Sequence, residues 1–201
     1  EMHCRSLEEQ KKRWFFRENE KASGNPQDTM GAEELRLLDN AEFALELNCT
    51  SLYEEYLCQP LQAFLASYWQ KNYLTHSYFA GRIPDRFYIG NQFCHNLFPT
   101  EEQLFSIMDK VYLEGSEITL VFSYIREFML SSVGKLLEKV DNWCCIHGVN
   151  VEIVVNDWAM VEMLCGKTSR LHPVLGTLLN KRKKDPRMKY KSGDTLLLDR
   201  K

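Results

Sequence analysis

A candidate reactive group follows the short apolar segment VEIVV, residues 151–155. The next three residues are Asn156, Asp157 and Trp158, so a carboxylate stands between an amide and an indole. A carboxylate in a site can orient a substrate or move a proton, which makes Asn156 and Asp157 the candidate catalytic residues. Asp at this position is also a favoured N-cap for a following helix. The sequence leaves both roles open, and one side chain can serve both.

A second candidate is Cys94, which follows another apolar segment. A cysteine at the end of a predicted strand is either a site group or a small buried apolar side chain. The adjacent His95 is not expected to pair with it in catalysis, because catalytic Cys and His partners are typically distant in sequence. Of the neighbours Cys144 and Cys145, we expect one to pack in the core and the other to be partly exposed.

The basic segment KRKKDPRMKYK, residues 181–191, carries seven basic residues and one acid. Such a run attracts RNA phosphates or another anionic molecule by charge alone. The alternative is a solvated loop with a turn at Asp185-Pro186. The candidate substrate-binding or anion-binding residues are Lys181, Arg182, Lys183, Lys184, Arg187, Trp158 and Asn180.

Composition narrows the class of protein. The chain has 201 residues, 44% of them hydrophobic and 26% charged, with a formal net charge of −3. This balance argues against a dedicated nucleic-acid binder. No apolar run approaches the roughly 20 residues needed to cross a bilayer, and the amino terminus lacks the pattern of a signal peptide. The seven cysteines are irregularly spaced without a C-x-x-C pair, which favours free thiols and predicts a cytoplasmic protein.

The candidate residues follow predicted strands of a βα repeat. Strands are predicted at 86–91, 117–125 and 151–155, with a weaker one at 172–179. The first three start 31 and 34 residues apart, and each gap holds one amphipathic helix. Thr100 with Gln103 has the spacing of a capping box, and Ser131 or Ser132 is expected to cap the second helix. This spacing is typical of parallel strands joined by helices.

The first 82 residues read differently and are expected to form an α-helical extension. Residues 31–47 carry a broad apolar stripe at helical spacing, and residues 51–74 continue as helix with a break at Pro60. The remainder, 83–201, is predicted to be the βα-repeat domain.

The predicted fold class is α/β. Four βα units cannot make an eight-stranded TIM-type barrel, which takes about 250 residues. The alternatives are a small open sheet, a half-barrel that pairs with a partner, and the first half of a truncated barrel. The start at Glu1 and the end at LLLDRK favour the last. The expected partner is a second half-barrel or another copy of the chain, and the carboxyl ends of the strands are the expected site.

FYIGNQFC (87–94), VEIVVNDWAMVEML (151–164) and HPVLGTLLN (172–180), in this order, resemble the collagenase-like peptidase family U-32. The closer branch is that of the oxygen-independent hydroxylases of ubiquinone synthesis. The resemblance covers about residues 86–180. It implies a (β/α) barrel and an enzyme that acts as a peptidase or as an iron–sulfur-dependent hydroxylase of RNA or of a quinone precursor.

The residue-by-residue match implies specific roles. Tyr88, Gly90 and Cys94 match the first block, and Cys94 stands where the hydroxylases have a cysteine ligand of a [4Fe–4S] cluster. Asp157 and Asn180 match the acidic residue and the closing residue of later blocks. Ala159 departs from the usual Gly. The remaining cluster cysteines of that branch lie in a cysteine-rich carboxyl-terminal segment that this chain lacks.

Two functions are therefore expected, one catalytic and one not. In the first, a U-32-like domain uses Asp157 to orient substrate, Cys94 to bind a cluster and the basic segment to attract an anion. The sequence has no H-E-x-x-H or G-x-S-x-G motif, which favours hydroxylation over hydrolysis. In the second, the chain is a non-catalytic binding or assembly protein on a partial barrel that contacts RNA or anions through the basic segment.

Overall fold

A computed structural model describes residues 40–165 and 170–179. The predictions for Asn180, for the basic segment 181–191 and for the first 39 residues lie outside these ranges.

The described chain alternates strands with helices. The strands are β1 Ala44–Leu47, β2 Arg86–Gly90, β3 Glu117–Val121, β4 Val151–Val155 and β5 Leu171–Leu175. The helices are α1 Thr50–Cys58, α2 Leu61–Lys71, α3 Glu101–Leu113, α4 Leu130–His147 and α5 Trp158–Cys165. Short 3₁₀ turns precede α3 and α4, at His95–Leu97 and Glu127–Met129.

The five strands form one sheet in the order β1-β2-β3-β4-β5, and every neighbouring pair is parallel. The predicted α/β class is confirmed. Because each strand pairs with the next along the chain, right-handed crossovers place all the connecting helices on the same face of the sheet. A doubly wound fold would instead reverse its strand order part-way and cover both faces.

Register divides the strand residues into two sets. One row across the sheet joins Leu47, Ile89, Leu120 and Ile153, and all four side chains are fully buried. We call the side that carries this row the helix face. The neighbouring row joins Glu46, Tyr88, Thr119, Glu152 and His172 on the other side, which we call the open face. Since side chains alternate along a strand, the first row faces the helices with apolar side chains and the second faces the open side with polar ones.

Local sequence signals account for several helix ends. Thr100 and Gln103 form the predicted capping box at the start of α3, and Gly148 ends α4 in the left-handed region with φ of 72°. Pro60 separates α1 from α2, as predicted. The expected cap at Ser131 or Ser132 is wrong, because α4 begins at Leu130 and continues directly from a 3₁₀ turn.

The helix expected over 31–47 is wrong for residues 44–47. They form the edge strand β1, in which Leu45 and Leu47 are buried while Ala44 and Glu46 are exposed. The alternation is only four residues long and follows apolar residues at helical spacing, so pairing with β2 decides the structure. The sheet therefore begins within the segment expected to be helical.

Aromatic side chains form the core between α1, α2 and the sheet. Tyr56 packs edge-on against Phe64 and contacts Phe87 of β2, with ring centroids 5.2 Å apart in both pairs. The hydroxyl of buried Tyr56 donates to the Glu114 carboxylate. Burial of the ring is the larger cause, and the nearby Glu114 carboxylate the smaller one, of a pKa of Tyr56 that is far above its usual range.

None of the helices in the described ranges is long and apolar enough to cross a membrane.

Candidate functional site at the carboxyl edge

Polar residues follow three neighbouring strands at the carboxyl edge of the sheet. Asn91 follows β2, Ser123 follows β3, and Asn156 with Asp157 follows β4. Parallel register brings these strand ends side by side. This edge is where ligands bind in parallel α/β folds.

Asp157 is buried, and both of its carboxylate oxygens accept backbone hydrogen bonds. Oδ1 accepts from Met160 N at 2.9 Å, which makes Asp157 the N-cap of α5. Oδ2 accepts from Ile125 N at 2.9 Å, which ties the loop after β3 to the end of β4. The capping role is thus present, and the second bond adds a link between two βα loops. A carboxylate held in this way is poorly placed to accept a proton from substrate.

Asn156 is also buried and links three segments. Its Nδ2 donates to Phe122 O at 2.7 Å, and its Oδ1 accepts from Leu178 N at 3.2 Å. The turn after β5 approaches so closely that a Cβ on Gly176 would collide with the Asn156 amide. Asn156 therefore fixes the loops after β3 and β5 around the end of β4.

Cys94 is half-buried in the loop after β2. The loop is shaped by Asn91, whose Oδ1 accepts from the backbone N–H groups of Phe93 and Cys94, each at 2.9 Å. Asn91 Nδ2 also donates to Asn48 O at 3.1 Å, at the end of β1. These bonds orient the Cys94 segment on the same edge as Asp157.

Cys94 has too few neighbours of the right chemistry to form a cluster site by itself. The described residues contain no group of three or more His, Cys, Asp or Glu side chains placed to hold a metal ion. A [4Fe–4S] cluster needs about four thiolates. Within 40–165 and 170–179 the residues do not supply a complete ligand set for such a cluster.

A side-chain bridge crosses the carboxyl edge between strands that are not neighbours. Thr177 Oγ1 donates to Gln92 Oε1 at 2.8 Å, joining the loops after β5 and β2. Flat sheet geometry would separate these strands by three spacings of about 4.8 Å, beyond the reach of the two side chains. The loops must lean together, or the sheet must curve towards its open face. Val121 and Val154, whose side chains point to the open face, are buried near this end of the sheet.

Exposed aromatic side chains occupy the loops at this edge. Phe93 follows β2, Tyr124 and Phe128 follow β3, and Trp158 follows β4; between 60% and 73% of each residue is exposed. Large aromatics exposed in several successive loops are unusual on a surface with no partner and mark contact surfaces. Trp158 is thus the one predicted binding residue within the described ranges, and it points to solvent as binding requires.

The opposite, amino end of the open face holds a charged network. Arg86 pairs with Glu42 and Glu117, and its Nη1 donates to Glu152 and to Thr119 Oγ1 at 2.9 Å each. Burial lowers the pKa of Arg86, but the three glutamates raise it by more, so the guanidinium stays charged. A cavity of about 470 Å³ adjoins this network. It lies at the wrong end of the strands for a site of this fold class.

Three features of the structure were not predicted from the sequence. β1 carried a signal, the alternation of Leu45, Glu46 and Leu47 before Asn48, but helical spacing upstream obscured it. The Gln92–Thr177 bridge joins residues 85 positions apart, and no sequence pattern near either residue predicts it. The open face of the sheet also follows from strand order rather than from any motif.

Comparison with models of known protein families found no match for this chain, and comparisons with curated proteins and with solved structures also found none. The geometry of the sheet edge and the motifs of the sequence therefore support the functional proposal.

Proposed function

We propose that the chain forms the first half of a TIM-type (β/α) barrel in a U-32-like enzyme, and that the carboxyl edge of its sheet binds substrate. Further βα units or a second half-barrel would close the open face. The observation that carries the proposal is the sequential, all-parallel strand order with helices on one face, which is the order found in such barrels.

Curvature supports the barrel over a flat open sheet. The Gln92–Thr177 bridge brings together the loops after strands three positions apart, as a sheet that curves towards its open face would. The polar open face supports it as well, since a solvent-facing or barrel-lining surface tolerates Glu46, Glu152 and His172, whereas a helix-covered face does not. The proposed cellular location is the cytoplasm, because the six described cysteines are free thiols.

In this proposal the carboxyl edge contains two sets of residues, one that positions the loops and one that contacts substrate. Asn156 and Asp157 fix the loops through backbone bonds, as positioning residues rather than proton carriers. The exposed aromatics, with Trp158 among them, form the contact surface for substrate. The basic segment 181–191 follows β5 by a few residues, so it is placed to add an anion contact for RNA or another anionic substrate.

The class of reaction proposed is iron–sulfur-dependent hydroxylation, with peptide hydrolysis as the alternative within the same family. Cys94 would be one cluster ligand, and the others would have to come from outside the described residues. A bound cluster would supply the redox chemistry.

Iron and sulfide analysis after anaerobic expression tests this class directly. The proposal expects both elements to copurify with the full chain, or with the chain plus its closing half, and to be lost in Cys94→Ser. Cys145→Ser is the matched control, because Cys145 is an exposed thiol on α4, and it should keep the iron. Iron-free protein in every case would remove the hydroxylase proposal.

A second candidate function is a non-catalytic binding protein on the same scaffold. The observation that favours it is the full engagement of the Asp157 carboxylate, which leaves neither oxygen free. Fluorescence titration with single-stranded RNA separates binding from catalysis. With Trp14 replaced by Phe throughout, exposed Trp158 should report binding, whereas Trp69 and Trp143 are buried and should not. A signal that persists in Trp158→Phe would place the RNA elsewhere.

A further inference from the structure

A cleft on the helix side of the sheet has the properties of a small-molecule site. It lies between the 3₁₀ turn after β2 and the flank of α4, and its volume is about 280 Å³. Its walls are mainly apolar, and they are formed by Phe98, Pro99, Phe122, Met129, Val133 and Leu136. An apolar cleft with a few convergent polar groups is the usual form of a ligand pocket.

The walls are held rigidly. Phe98 stacks on Phe122 with ring centroids 4.5 Å apart. Gly90 at the end of β2 lies beside this pair: its φ is +121°, and an added Cβ would lie 2.2 Å from Val121 O and 3.0 Å from the Phe98 ring. Because only glycine adopts this conformation readily, the sequence at 90 makes room for the ring. The cleft is therefore built by the sheet edge and is not a gap between mobile loops.

Ser123 provides a polar group that the fold does not use. The residue is 6% exposed and lines the cleft, and its hydroxyl has no hydrogen-bond partner within the part of the chain that the structure describes. Among the described residues only the indole N–H of Trp69 is a fully buried side-chain polar group without a partner, so the Ser123 hydroxyl is accessible from the cleft and water bonds to it there in the absence of a ligand. A ligand atom in the cleft would take over this bond.

The charges around the cleft favour an uncharged ligand. Glu101 lies at the rim, but its carboxylate is paired with Lys139 at 2.5 Å. The Ser132 hydroxyl donates to Met129 O at 2.9 Å and is also satisfied. His95 is the remaining polar side chain of the lining. No unpaired fixed charge among these lining residues calls for an ion.

We propose that this cleft binds a small uncharged molecule with one apolar ring or branched chain and a single hydrogen-bonding oxygen directed at Ser123. The cleft shares the loops after β2 and β3 with the proposed substrate surface, but the exposed aromatics of that surface do not line it, and its binding does not depend on the iron chemistry. An occupied cleft would join the loop after β2 to α4.

Titration with benzyl alcohol and with toluene tests the proposal, since the two probes share a ring and differ in the hydroxyl. Binding is followed through the methyl carbon resonance of Met129 in full-length protein labelled at methionine methyls, with buried Met108 of α3 as the internal control. Met129→Leu assigns the signal. We expect benzyl alcohol to bind about threefold to tenfold more tightly, the effect of one hydrogen bond.

Two variants locate the site. Ser123→Ala should bind both probes equally, because only the hydroxyl distinguishes them. Ser132→Trp places a large side chain at an exposed position of the rim and should abolish binding of both, with an unchanged circular dichroism spectrum. No shift at Met129 with either probe would overturn the proposal. So would a preference for benzyl alcohol that persists in Ser123→Ala, or binding that survives in Ser132→Trp.

Discussion

The two faces of the sheet are made by the same strands and differ in almost every property. On the helix face, Leu120 and Ile153 pair across β3 and β4 and are fully buried. One residue away, Thr119 and Glu152 pair on the open face and join the Arg86 network. Parallel sheets are usually covered on both sides and apolar on both. The difference is that of a sheet covered by helices on one face and carrying a polar row on the other, as a solvent-facing or a barrel-lining face would.

The largest expected effect comes from truncating neighbouring residues on opposite faces of β4. Ile153→Ala should lower the free energy of unfolding by about 2–5 kcal/mol, because it leaves a cavity in a closely packed core. Glu152→Ala should cost at most about 1 kcal/mol, since the side chain is partly exposed and ion-paired. Urea unfolding of both variants measures the contrast. Equal losses would mean that the open face is as tightly packed as the helix face.

At the edge where the faces meet, Asp157→Ala should cost about 1–3 kcal/mol, because two buried N–H groups lose their acceptor. Asp157→Ser keeps a capping oxygen for Met160 but cannot also reach Ile125. Its stability should therefore lie between those of the wild type and the Ala variant. Thermal unfolding checks the order. A Ser variant as unstable as the Ala variant would show that the bond to Ile125 carries the whole effect.

A smaller effect is expected within the open face. Arg86→Met should cost about 1 kcal/mol, since two of its three glutamate partners are more than half exposed. The loss should shrink in high salt, which already screens the wild-type pairs. Chemical unfolding at low and high ionic strength measures this. A loss of 3 kcal/mol or more would mean that the network is sealed from solvent.

The smallest expected effect on stability comes from labelling the neighbouring thiols of Cys144 and Cys145 at near-neutral pH. The extent of labelling is the quantity measured. Cys144 packs in the core, and burial raises its pKa to about 12, while Cys145 is exposed. Iodoacetamide at pH 8 should label Cys145 and leave Cys144 unmodified, as mass spectrometry of the peptides would show. Comparable labelling of both would place Cys144 outside the core.

The raised pKa of Cys144 also predicts that the free energy of unfolding decreases at alkaline pH. The unfolded thiol titrates near 8.5, and the folded one near 12. Between these values the unfolded state loses its proton first, so the free energy of unfolding should fall as pH rises through this window. Cys144→Ala should reduce the slope of stability against pH there.

Much of the fold could be predicted because its signals are local. The apolar segments at β2, β3 and β4 and the capping box at Thr100 each lie within a few residues. The candidate site was predicted less completely. Asp157 and Asn156 were correctly placed at the sheet edge, but their partners Ile125 and Phe122 lie 32 and 34 residues away. Whether a buried carboxylate is free or engaged depends on such distant groups, which spacing alone does not reveal.

The most direct test of the barrel proposal is the distance between the loops after β2 and β5. Gln92→Cys with Thr177→Cys, treated with a short thiol crosslinker such as dibromobimane, should give an intramolecular crosslink, because these side chains touch. The single variants report background from native cysteines, and Glu46→Cys with His172→Cys on the two edge strands should not react as a pair. Crosslinking of 92 to 177 at the level of the single variants would contradict a sheet that curves towards its open face.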